Sequence, residues 1–364
     1  MKITFTSVIW LLAIVSLCFG QTSYKYSQPQ SLSDGWKTNS LHSLEVDTAR
    51  VHKLFSQLKN GKHKLHSTLL VRNNSLIIEE YFDNNSINTQ HDLRSATKSI
   101  TSLLIGIAID KKLITSVDDP ISKYLNNLKP EKNADAWKED ITIRHLLTMS
   151  SGLDCNDWDK KSKGQEDRVY KKKNWLQYFL DLPMNNAPGT VSNYCTMGQI
   201  LATEIVSRAS GMPIDKFAEK YLFHPLGITN LSWGHTSKKE VIASGKRLYM
   251  TPRDMAKVGQ LILNKGLWDN KQVVSKKWID ESTSGQTKLA GLDYGFLWWN
   301  IPLKTKEIET LSITATGNGG QYIMLIPELD MVAVFTGGAY NSQEGKLPFA
   351  IMTDIFLPTF TIER

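Results

Sequence analysis

Residues 91–110 read HDLRSATKSITSLLIGIAID, and this stretch predicts the centre of the architecture. From Ser99 to Ile109 the apolar side chains lie nearly all round a helical wheel, which at this length predicts a helix buried in the middle of the protein. Ser95 comes directly before that helix, and Lys98 follows three residues later on the same helical face. The stretch therefore predicts a hydroxyl group and an amine that lie close together inside the protein.

Ser-x-x-Lys tetrads occur twice, at Ser56 to Lys59 and at Ser95 to Lys98. With 31 serines and 34 lysines among 364 residues, chance alone gives about three such tetrads, so the context must decide. Ser56 lies in an amphipathic pattern among polar neighbours, which predicts a solvated helix face. At Ser95 the helix dipole favours developing negative charge, and a lysine buried among apolar neighbours can accept the serine proton. The alternative is a plain N-cap at Ser95, with Lys98 pointing to solvent.

Apolar runs on both sides of this helix predict strands. Two runs separated by Asn73-Asn74 predict a β-hairpin at 66–71 and 76–82, and later runs predict strands at 294–300, 309–314, 321–327 and 331–336. Helical spacing predicts helices at 46–58, 141–148, 175–182, 197–209, 213–221, 252–264, 276–281 and about 346–356. This order predicts an α/β (α+β) sandwich, with one antiparallel sheet built from both chain ends and a helical lobe inserted at roughly 110–290.

The first 20 residues have the pattern of a secretory signal peptide. A basic residue leads into an apolar stretch from Phe5 to Phe19, with small residues at Cys18 and Gly20. The stretch is short for a transmembrane helix, which needs about 20 apolar residues, so no integral membrane span is predicted. Lipidation of Cys18 is the less favoured alternative because the large Leu17 precedes it. We therefore expect an exported protein, periplasmic or extracellular.

Residues 21–40 are rich in Ser, Gln, Tyr and Asn and lack apolar periodicity, which predicts a linker or arm. The remaining residues, 41–364, are then expected to form one domain that contains the helical lobe.

The composition excludes several classes of protein. With 41% hydrophobic and 22% charged residues, the chain is neither collagen-like, coiled coil nor disordered. The net charge of +7 is spread along the chain, with one short run at Lys171–Lys173, so no nucleic-acid partner is expected. The eight histidines lack metal-ligand spacing, and no G-x-S-x-G, Walker or dinucleotide glycine pattern occurs. We therefore expect no metal and no cofactor.

Two further segments contain candidate functional groups. Residues 187–198, APGTVSNYCTMG, place Tyr194 after a Pro-Gly turn and at the start of a predicted helix. Residues 315–321, ATGNGGQ, form a glycine-dense link into a predicted strand, where backbone N–H groups can approach a ligand closely.

With these segments the chain resembles the serine β-lactamase-related hydrolases. That group includes class C β-lactamases, D-alanyl-D-alanine carboxypeptidase-like proteins, family VIII esterases and 6-aminohexanoate-dimer hydrolases. The matching phrases follow the family's order over most of residues 45–360: STLLVRNNSLIIEEYF, HDLRSATKSITSLLIGIAID, ITIRHLLTMSSGLD, APGTVSNYCTMGQILATEIVSRASG, YLFHPLGITNLSW, YMTPRDMAKVGQLILNKGLW, YGFLWW and NGGQYIMLIPELDMVAVF. The resemblance implies a β-lactamase/transpeptidase-like sandwich.

The resemblance also implies a role for each site residue. Ser95 resembles the acylated nucleophile, Lys98 its proton partner, and Tyr194 the tyrosine that passes the proton to the leaving group. The backbone N–H of Ser95 and one from Gly317–Gly319, at Asn318 or Gly319, would form the oxyanion hole.

Two departures from the family pattern bear on the substrate. Tyr194-Cys195-Thr196 replaces Tyr-x-Asn, and Ala315-Thr316-Gly317 replaces Lys-Thr-Gly or His-Thr-Gly. Without that cation, recognition of a substrate carboxylate loses its counter-charge, so we expect an ester, a small amide or a peptide-like small molecule as substrate. The alternatives are a D-alanyl-D-alanine carboxypeptidase or β-lactamase and, in another class, an inactive relative that binds cell-wall fragments. The oligomeric state stays open.

The mature chain holds two cysteines, Cys155 and Cys195. Export implies oxidising conditions, and in this family the segment that contains Cys155 packs beside the active site, so a disulfide that braces the site is expected. The alternative is two small buried hydrophobic side chains. Trp233, Trp298 and Trp299 are candidates for an acyl pocket, although tryptophans at strand ends more often belong to a core or rim.

Overall fold

The computed structural model describes residues 24–44, 46–125, 127–235 and 245–361. The predicted signal peptide at residues 1–20, with Cys18, lies outside the described residues. Within the described ranges, no helix combines the length and apolar character needed to cross a membrane.

Fourteen strands lie in the described ranges: β1 Lys37–Thr38, β2 Leu65–Arg72, β3 Ser75–Tyr81, β4 His91–Asp92, β5 Leu231–His235, β6 Lys246–Met250, β7 Leu267–Trp268, β8 Lys271–Gln272, β9 Thr287–Leu289, β10 Leu292–Tyr294, β11 Trp299–Lys304, β12 Glu309–Gly317, β13 Gln321–Ile326 and β14 Met331–Gly337. Nine of them form one sheet in the order β1-β3-β2-β14-β13-β12-β11-β10-β9. All neighbours in it are antiparallel except β1 and β3, which run parallel. The predicted antiparallel sheet built from both chain ends is therefore confirmed.

Both faces of the sheet are covered. Along β14, Val332 and Val334 belong to one hydrophobic core, while Met331, Ala333 and Phe335 belong to the other. This alternation follows from the two-residue period of a strand, and side chains that are apolar on both faces require a layer on each side. The chain therefore forms a sandwich with the sheet in the middle.

The α-helices of the described ranges are α1 Ala49–Asn60, α2 Thr97–Asp110, α3 Ile143–Leu147, α4 Glu166–Val169, α5 Trp175–Leu180, α6 Thr196–Ser210, α7 Ile214–Ala218, α8 Pro252–Leu263, α9 Lys276–Thr283, α10 Leu347–Ile351 and α11 Leu357–Phe360. The core around α1 and the C-terminal helices covers one face of the sheet. The core that contains α2, α8, α9 and the lobe helices covers the other. The helical lobe thus stands on one side of the sheet.

Helix α2 is buried along most of its length, from Thr97 to Ala108. Its neighbours come close: a Cβ at Gly106 would lie 2.2 Å from the Trp278 ring of α9. On the lobe side, Gln199 of α6 donates a hydrogen bond to the hydroxyl of Thr101, at 2.8 Å. The prediction of a central buried helix is confirmed.

The predicted strand at 294–300 is wrong, because the chain forms two strands, β10 and β11, with a turn between them. Within the turn, the Gly295 N–H donates to Trp298 O, the Phe296 N–H to Ser282 O and the Leu297 N–H to Leu147 O. Two of these backbone groups thus bond to neighbouring helical segments instead of a sheet strand. An apolar run cannot indicate such a turn, because its hydrogen-bond partners lie far away in the sequence.

Residues 24–40, within the predicted linker or arm, pack onto the domain. Lys37–Thr38 pairs with β3, and the Trp36 indole N–H donates to the carbonyl oxygen of Arg253, at 3.2 Å. The buried Arg253 guanidinium contacts Asp34 at 2.8 Å and Glu79 of β3 at 2.6 Å. This segment is therefore held to the sheet and to α8 by a buried ion network.

Candidate active site

Ser95 lies in a single 3-10 turn, Arg94–Ala96, that leads directly into α2. Ser95 is half-buried, whereas Lys98 is only 4% exposed. The Lys98 ammonium donates a hydrogen bond to Ser95 Oγ, at 3.3 Å. The alternative with Lys98 in solvent therefore does not hold, and the N-cap of α2 is Ala96 rather than Ser95.

The turn that presents Ser95 begins with an unusual backbone conformation. Arg94 has φ +50°, in the left-handed region that non-glycine residues rarely adopt. Its N–H donates to Asp92 Oδ1 at 3.0 Å, and its guanidinium lies 3.0 Å from Asp92 Oδ2 and 4.7 Å from the centre of the Tyr340 ring. Contacts on both sides thus hold the turn in the strained form that such sites often show.

Tyr194, in the helical lobe, lies near Lys98. It is 8% exposed and lies just before α6, whose N-cap is Cys195. Lys98 Nζ lies 4.9 Å from the centre of the Tyr194 ring. Packing of α6 against α2 therefore brings together Ser95, Lys98 and Tyr194, which lie about 100 residues apart in the chain.

The end of β12 completes this side of the site. Trp299, the first residue of β11, pairs with Thr314, so Ala315 to Gly317 extend beyond the end of β11. A Cβ at Gly317 would lie 2.2 Å from the carbonyl oxygen of Leu93, which immediately precedes the Ser95 turn. Glycine at 317 therefore allows the strand to approach the turn that carries the serine.

Asn318 and Gly319 follow this close approach. The Asn318 side chain donates to Asn341 Oδ1 at 2.8 Å and accepts the Asn341 N–H at 2.9 Å. Gly319 has φ +95°, and its carbonyl oxygen accepts the Ala339 N–H at 3.1 Å. The Asn318 amide group thus already has partners, which leaves backbone N–H groups as the chemistry this segment can offer.

Cys155 and Cys195 are joined by a disulfide in the structure. The bond ties the loop that contains Cys155 to the residue after Tyr194. A backbone hydrogen bond from the Asp157 N–H to the Tyr194 carbonyl oxygen, at 2.8 Å, supports the same junction. The loop is therefore held against the tyrosine by one covalent and one hydrogen-bonded contact.

Asp157 belongs to the site although no sequence motif indicated it. Its carboxylate accepts the Thr196 N–H at 2.7 Å and the Glu166 N–H at 3.0 Å. Burial raises the pKa of Asp157 to about 6, and the positive charge of Lys98 opposes this rise. The one sequence feature that could have indicated Asp157 is its position two residues after Cys155, which was expected to lie beside the site. Asp157 therefore places a titratable carboxyl group near the Ser95 and Lys98 pair.

The tryptophans divide between site and core. Trp299 lies 6.2 Å from Tyr194 between ring centres, whereas Trp298 is fully buried and Trp233 packs against Phe223 at 6.2 Å. Trp158, which no sequence pattern indicated, stacks on Tyr194 with 5.0 Å between the ring centres and an angle of 2° between the rings. Of the three predicted tryptophans, Trp299 is the one that borders the tyrosine.

Across the described part of the chain, no group of three or more His, Cys, Asp and Glu side chains is arranged to hold a metal ion.

Removing the disulfide should destabilise the fold. The two cysteines are 40 residues apart, and a bond that closes a loop of this size stabilises a protein by about 2–4 kcal/mol. We expect the Cys155→Ser, Cys195→Ser double variant to lose that free energy of unfolding in urea titrations. Reduction should reproduce the loss in the wild type and leave the double variant unchanged. A wild type insensitive to reductant under unfolding conditions would contradict the prediction.

Asp157→Asn should remove a pH dependence of stability. Because the pKa of Asp157 rises from 3.8 to about 6 on folding, the folded protein binds more protons than the unfolded chain between these pH values. The resulting stability is present below pH 3.8 and is lost as pH rises through about 6. We expect the wild type to lose up to about 3 kcal/mol relative to Asp157→Asn across this window.

Urea titrations at a series of pH values test this prediction, with the exposed Asp159→Asn as the matched control in the same loop. Burial lowers the pKa of His91 to about 4, which changes stability with the opposite sign in this window, but the comparison of variants cancels that contribution. A difference between wild type and Asp157→Asn that does not vary with pH would refute the prediction.

The chain is similar in sequence to several known proteins. The profile of the family described as Beta-lactamase matches residues 62–348. An uncharacterised protein of Alkalihalophilus pseudofirmus is 26% identical over 317 residues, which cover 77% of this chain and 85% of that protein. The 6-aminohexanoate-dimer hydrolase of Paenarthrobacter ureafaciens is 22% identical over 312 residues, covering 78% and 76% of the two chains.

A solved structure shares the fold. A putative 6-aminohexanoate-dimer hydrolase from Bacillus anthracis superposes with a TM-score of 0.66 at 20% identity, covering 82% of this chain and 81% of that chain. Since the family profile spans most of the sequence, including both strands of the N-terminal hairpin and the C-terminal strands, the chain belongs to the Beta-lactamase family of hydrolases.

Proposed function

We propose that the protein is an exported serine hydrolase that cleaves an ester or a small amide through an acyl-enzyme on Ser95. The observation that carries the proposal is the 3.3 Å hydrogen bond between the buried Lys98 Nζ and Ser95 Oγ. A buried lysine that contacts a hydroxyl at the start of a helix is an arrangement that activates a serine nucleophile.

In the proposed mechanism, Lys98 and Tyr194 act together as the base that removes the Ser95 proton. The serine oxygen attacks the substrate carbonyl. The tetrahedral oxyanion that forms accepts hydrogen bonds from the backbone N–H of Ser95 and from a backbone N–H of the Gly317–Gly319 segment. Tyr194 then gives a proton to the departing alcohol or amine. Water, activated by the same pair, attacks the acyl-enzyme and releases the acid.

The preference for esters and small amides rests on the end of β12. Ala315, fully buried, stands where related carboxypeptidases and β-lactamases carry a cation. A substrate carboxylate would lack that counter-charge, so a neutral ester or amide fits this site better.

The disulfide supports export. Disulfides persist in oxidising compartments and are rare in the cytosol, and Cys155 and Cys195 form one beside the site. Residues 1–20 would then be the signal peptide that is removed, with residues 41–364 as the domain. Lipidation at Cys18 remains the less favoured route of attachment.

Mass spectrometry of the acylated protein tests the proposal. The protein is treated with a fluorophosphonate, a short-chain p-nitrophenyl ester and a chromogenic cephalosporin, and the modified residue is mapped. We expect an adduct on Ser95 and turnover of the ester well above that of the cephalosporin. Comparable cephalosporin turnover would favour a β-lactamase, and a folded protein without any adduct would favour an inactive, ligand-binding relative.

A further inference from the structure

Three aromatic rings beside the nucleophile form what we call the aromatic patch: Trp158, Tyr194 and Trp299. The ring centres lie 5.0 Å apart for Trp158 and Tyr194, 6.4 Å for Trp158 and Trp299, and 6.2 Å for Tyr194 and Trp299. The corresponding interplanar angles are 2°, 24° and 23°. The three rings are therefore nearly parallel.

The patch is open to solvent at Trp158. Its indole is 57% exposed, whereas Tyr194 is buried and Trp299 half-buried. An exposed large apolar side chain stacked on the candidate catalytic tyrosine is informative, because folding alone would favour its burial. The patch is thus a set of nearly parallel rings that includes the candidate catalytic tyrosine and is open to solvent at Trp158.

The patch is also held rigidly. The disulfide fixes Cys155, three residues before Trp158, to Cys195, the residue after Tyr194. Between them, the Asp157 N–H donates to the Tyr194 carbonyl oxygen, and the Asp157 carboxylate accepts the Thr196 N–H.

Trp299 is held from its other side by the buried Tyr294, whose ring is edge-on to it at 4.8 Å and 71°. Because these contacts fix the rings before a ligand arrives, binding loses little conformational entropy.

The position of Tyr194 identifies the part of the substrate that meets the patch. In the proposed mechanism Tyr194 gives a proton to the departing alcohol or amine, so the leaving atom lies at its hydroxyl. The group attached to that atom then lies next to the patch, whose solvent-exposed member is Trp158.

Building on the proposed function, we infer that Trp158 and Trp299 recognise a planar aromatic leaving group. Parallel rings suit stacking with a flat ring, whereas a quaternary ammonium group prefers aromatic rings that surround it. The preferred substrates are therefore arylmethyl esters or amides of small acids.

A matched pair of esters measures this preference. Benzyl acetate and cyclohexylmethyl acetate release primary alcohols of similar size, and they differ in the planarity and π-system of the ring. We expect wild-type kcat/KM to favour benzyl acetate and Trp158→Ala to reduce the ratio by roughly three- to tenfold, the range of aromatic stacking. Trp158→Phe should retain part of the preference. Trp137→Ala, which removes another exposed tryptophan in the 3-10 turn Ala136–Lys138, should leave the ratio unchanged.

A binding measurement separates this inference from the proposed activity. Ser95→Ala protein is titrated with benzyl acetate, cyclohexylmethyl acetate and acetylcholine, and ligand-observed NMR reports the affinities. We expect benzyl acetate to bind most tightly of the three. Its affinity for the double variant that carries both Ser95→Ala and Trp158→Ala should be roughly three- to tenfold lower than for Ser95→Ala alone.

Equal affinity in the two proteins, or tighter binding of acetylcholine, would overturn the inference. Selective binding of benzyl acetate without hydrolysis of either ester by the wild type would instead refute the proposed function, while the recognition of a planar aromatic group by the patch would stand.

Discussion

Ser95→Ala is expected to lower kcat/KM for a short-chain ester by on the order of 10⁴-fold or more, because loss of a serine nucleophile removes the covalent route altogether. The residual rate would come from substrate binding and oxyanion contacts. The measurement is steady-state hydrolysis of a p-nitrophenyl ester, together with loss of the fluorophosphonate adduct.

The chain supplies a matched control for this variant in its second Ser-x-x-Lys tetrad. Ser56 lies on α1, and its partner Lys59 is exposed and pairs with Glu80 at 3.2 Å. Ser56→Ala should therefore keep full activity. Near-UV circular dichroism checks that both variants retain the fold. Full hydrolase activity in folded Ser95→Ala would exclude the acyl-enzyme mechanism.

Arg253→Ala is expected to cost about 3–5 kcal/mol of unfolding free energy, the range for breaking a buried ion pair. The Arg253 guanidinium is 3% exposed, and it contacts Glu79 through two nitrogen atoms at 2.7 Å and 2.6 Å. It also contacts Asp34 and donates to the carbonyl oxygen of Gln30 at 2.7 Å. Alanine would leave the carboxylate of Glu79, 7% exposed, buried without this partner.

Urea titration measures the loss, and limited proteolysis should show earlier cleavage within residues 24–40, which Arg253 ties to the sheet. Arg208→Ala is the control, because Arg208 forms a more exposed pair with Glu204 on α6 at 2.8 Å. Such surface pairs contribute about 0–1 kcal/mol. A loss in Arg253→Ala no larger than in Arg208→Ala would show that the network does not hold this segment in place.

Several elements could be predicted from the sequence because their patterns are local. The hairpin at 66–82 shows as two apolar runs around Asn73-Asn74, and the structure has β2 and β3 there. Helix α8, Pro252–Leu263, begins at the predicted Pro252, because Thr251 caps it and proline suits the first turn. These features depend on residues close in the chain, so periodicity and capping residues suffice to find them.

Other features depend on contacts between distant segments. Trp158 is an exposed residue in a lobe loop, and it gains significance only because the disulfide and the Asp157 hydrogen bonds place it on Tyr194. The raised pKa of Asp157 likewise arises from burial, which no local pattern reports. The packing of residues 24–40 follows from Arg253, more than 200 residues away.

Local sequence patterns are enough to predict the central helix, the serine and lysine at its start, and the order of strands at both chain ends. Spacing along one helix places Ser95 and Lys98 within reach, so no tertiary information is needed for that pair. Contacts between distant segments bring Tyr194 to Lys98, the end of β12 to the Ser95 turn, and the two tryptophans of the aromatic patch to Tyr194. The physical reason is that α2 packs between the sheet and the lobe, and it is this packing that sets the distances across the site.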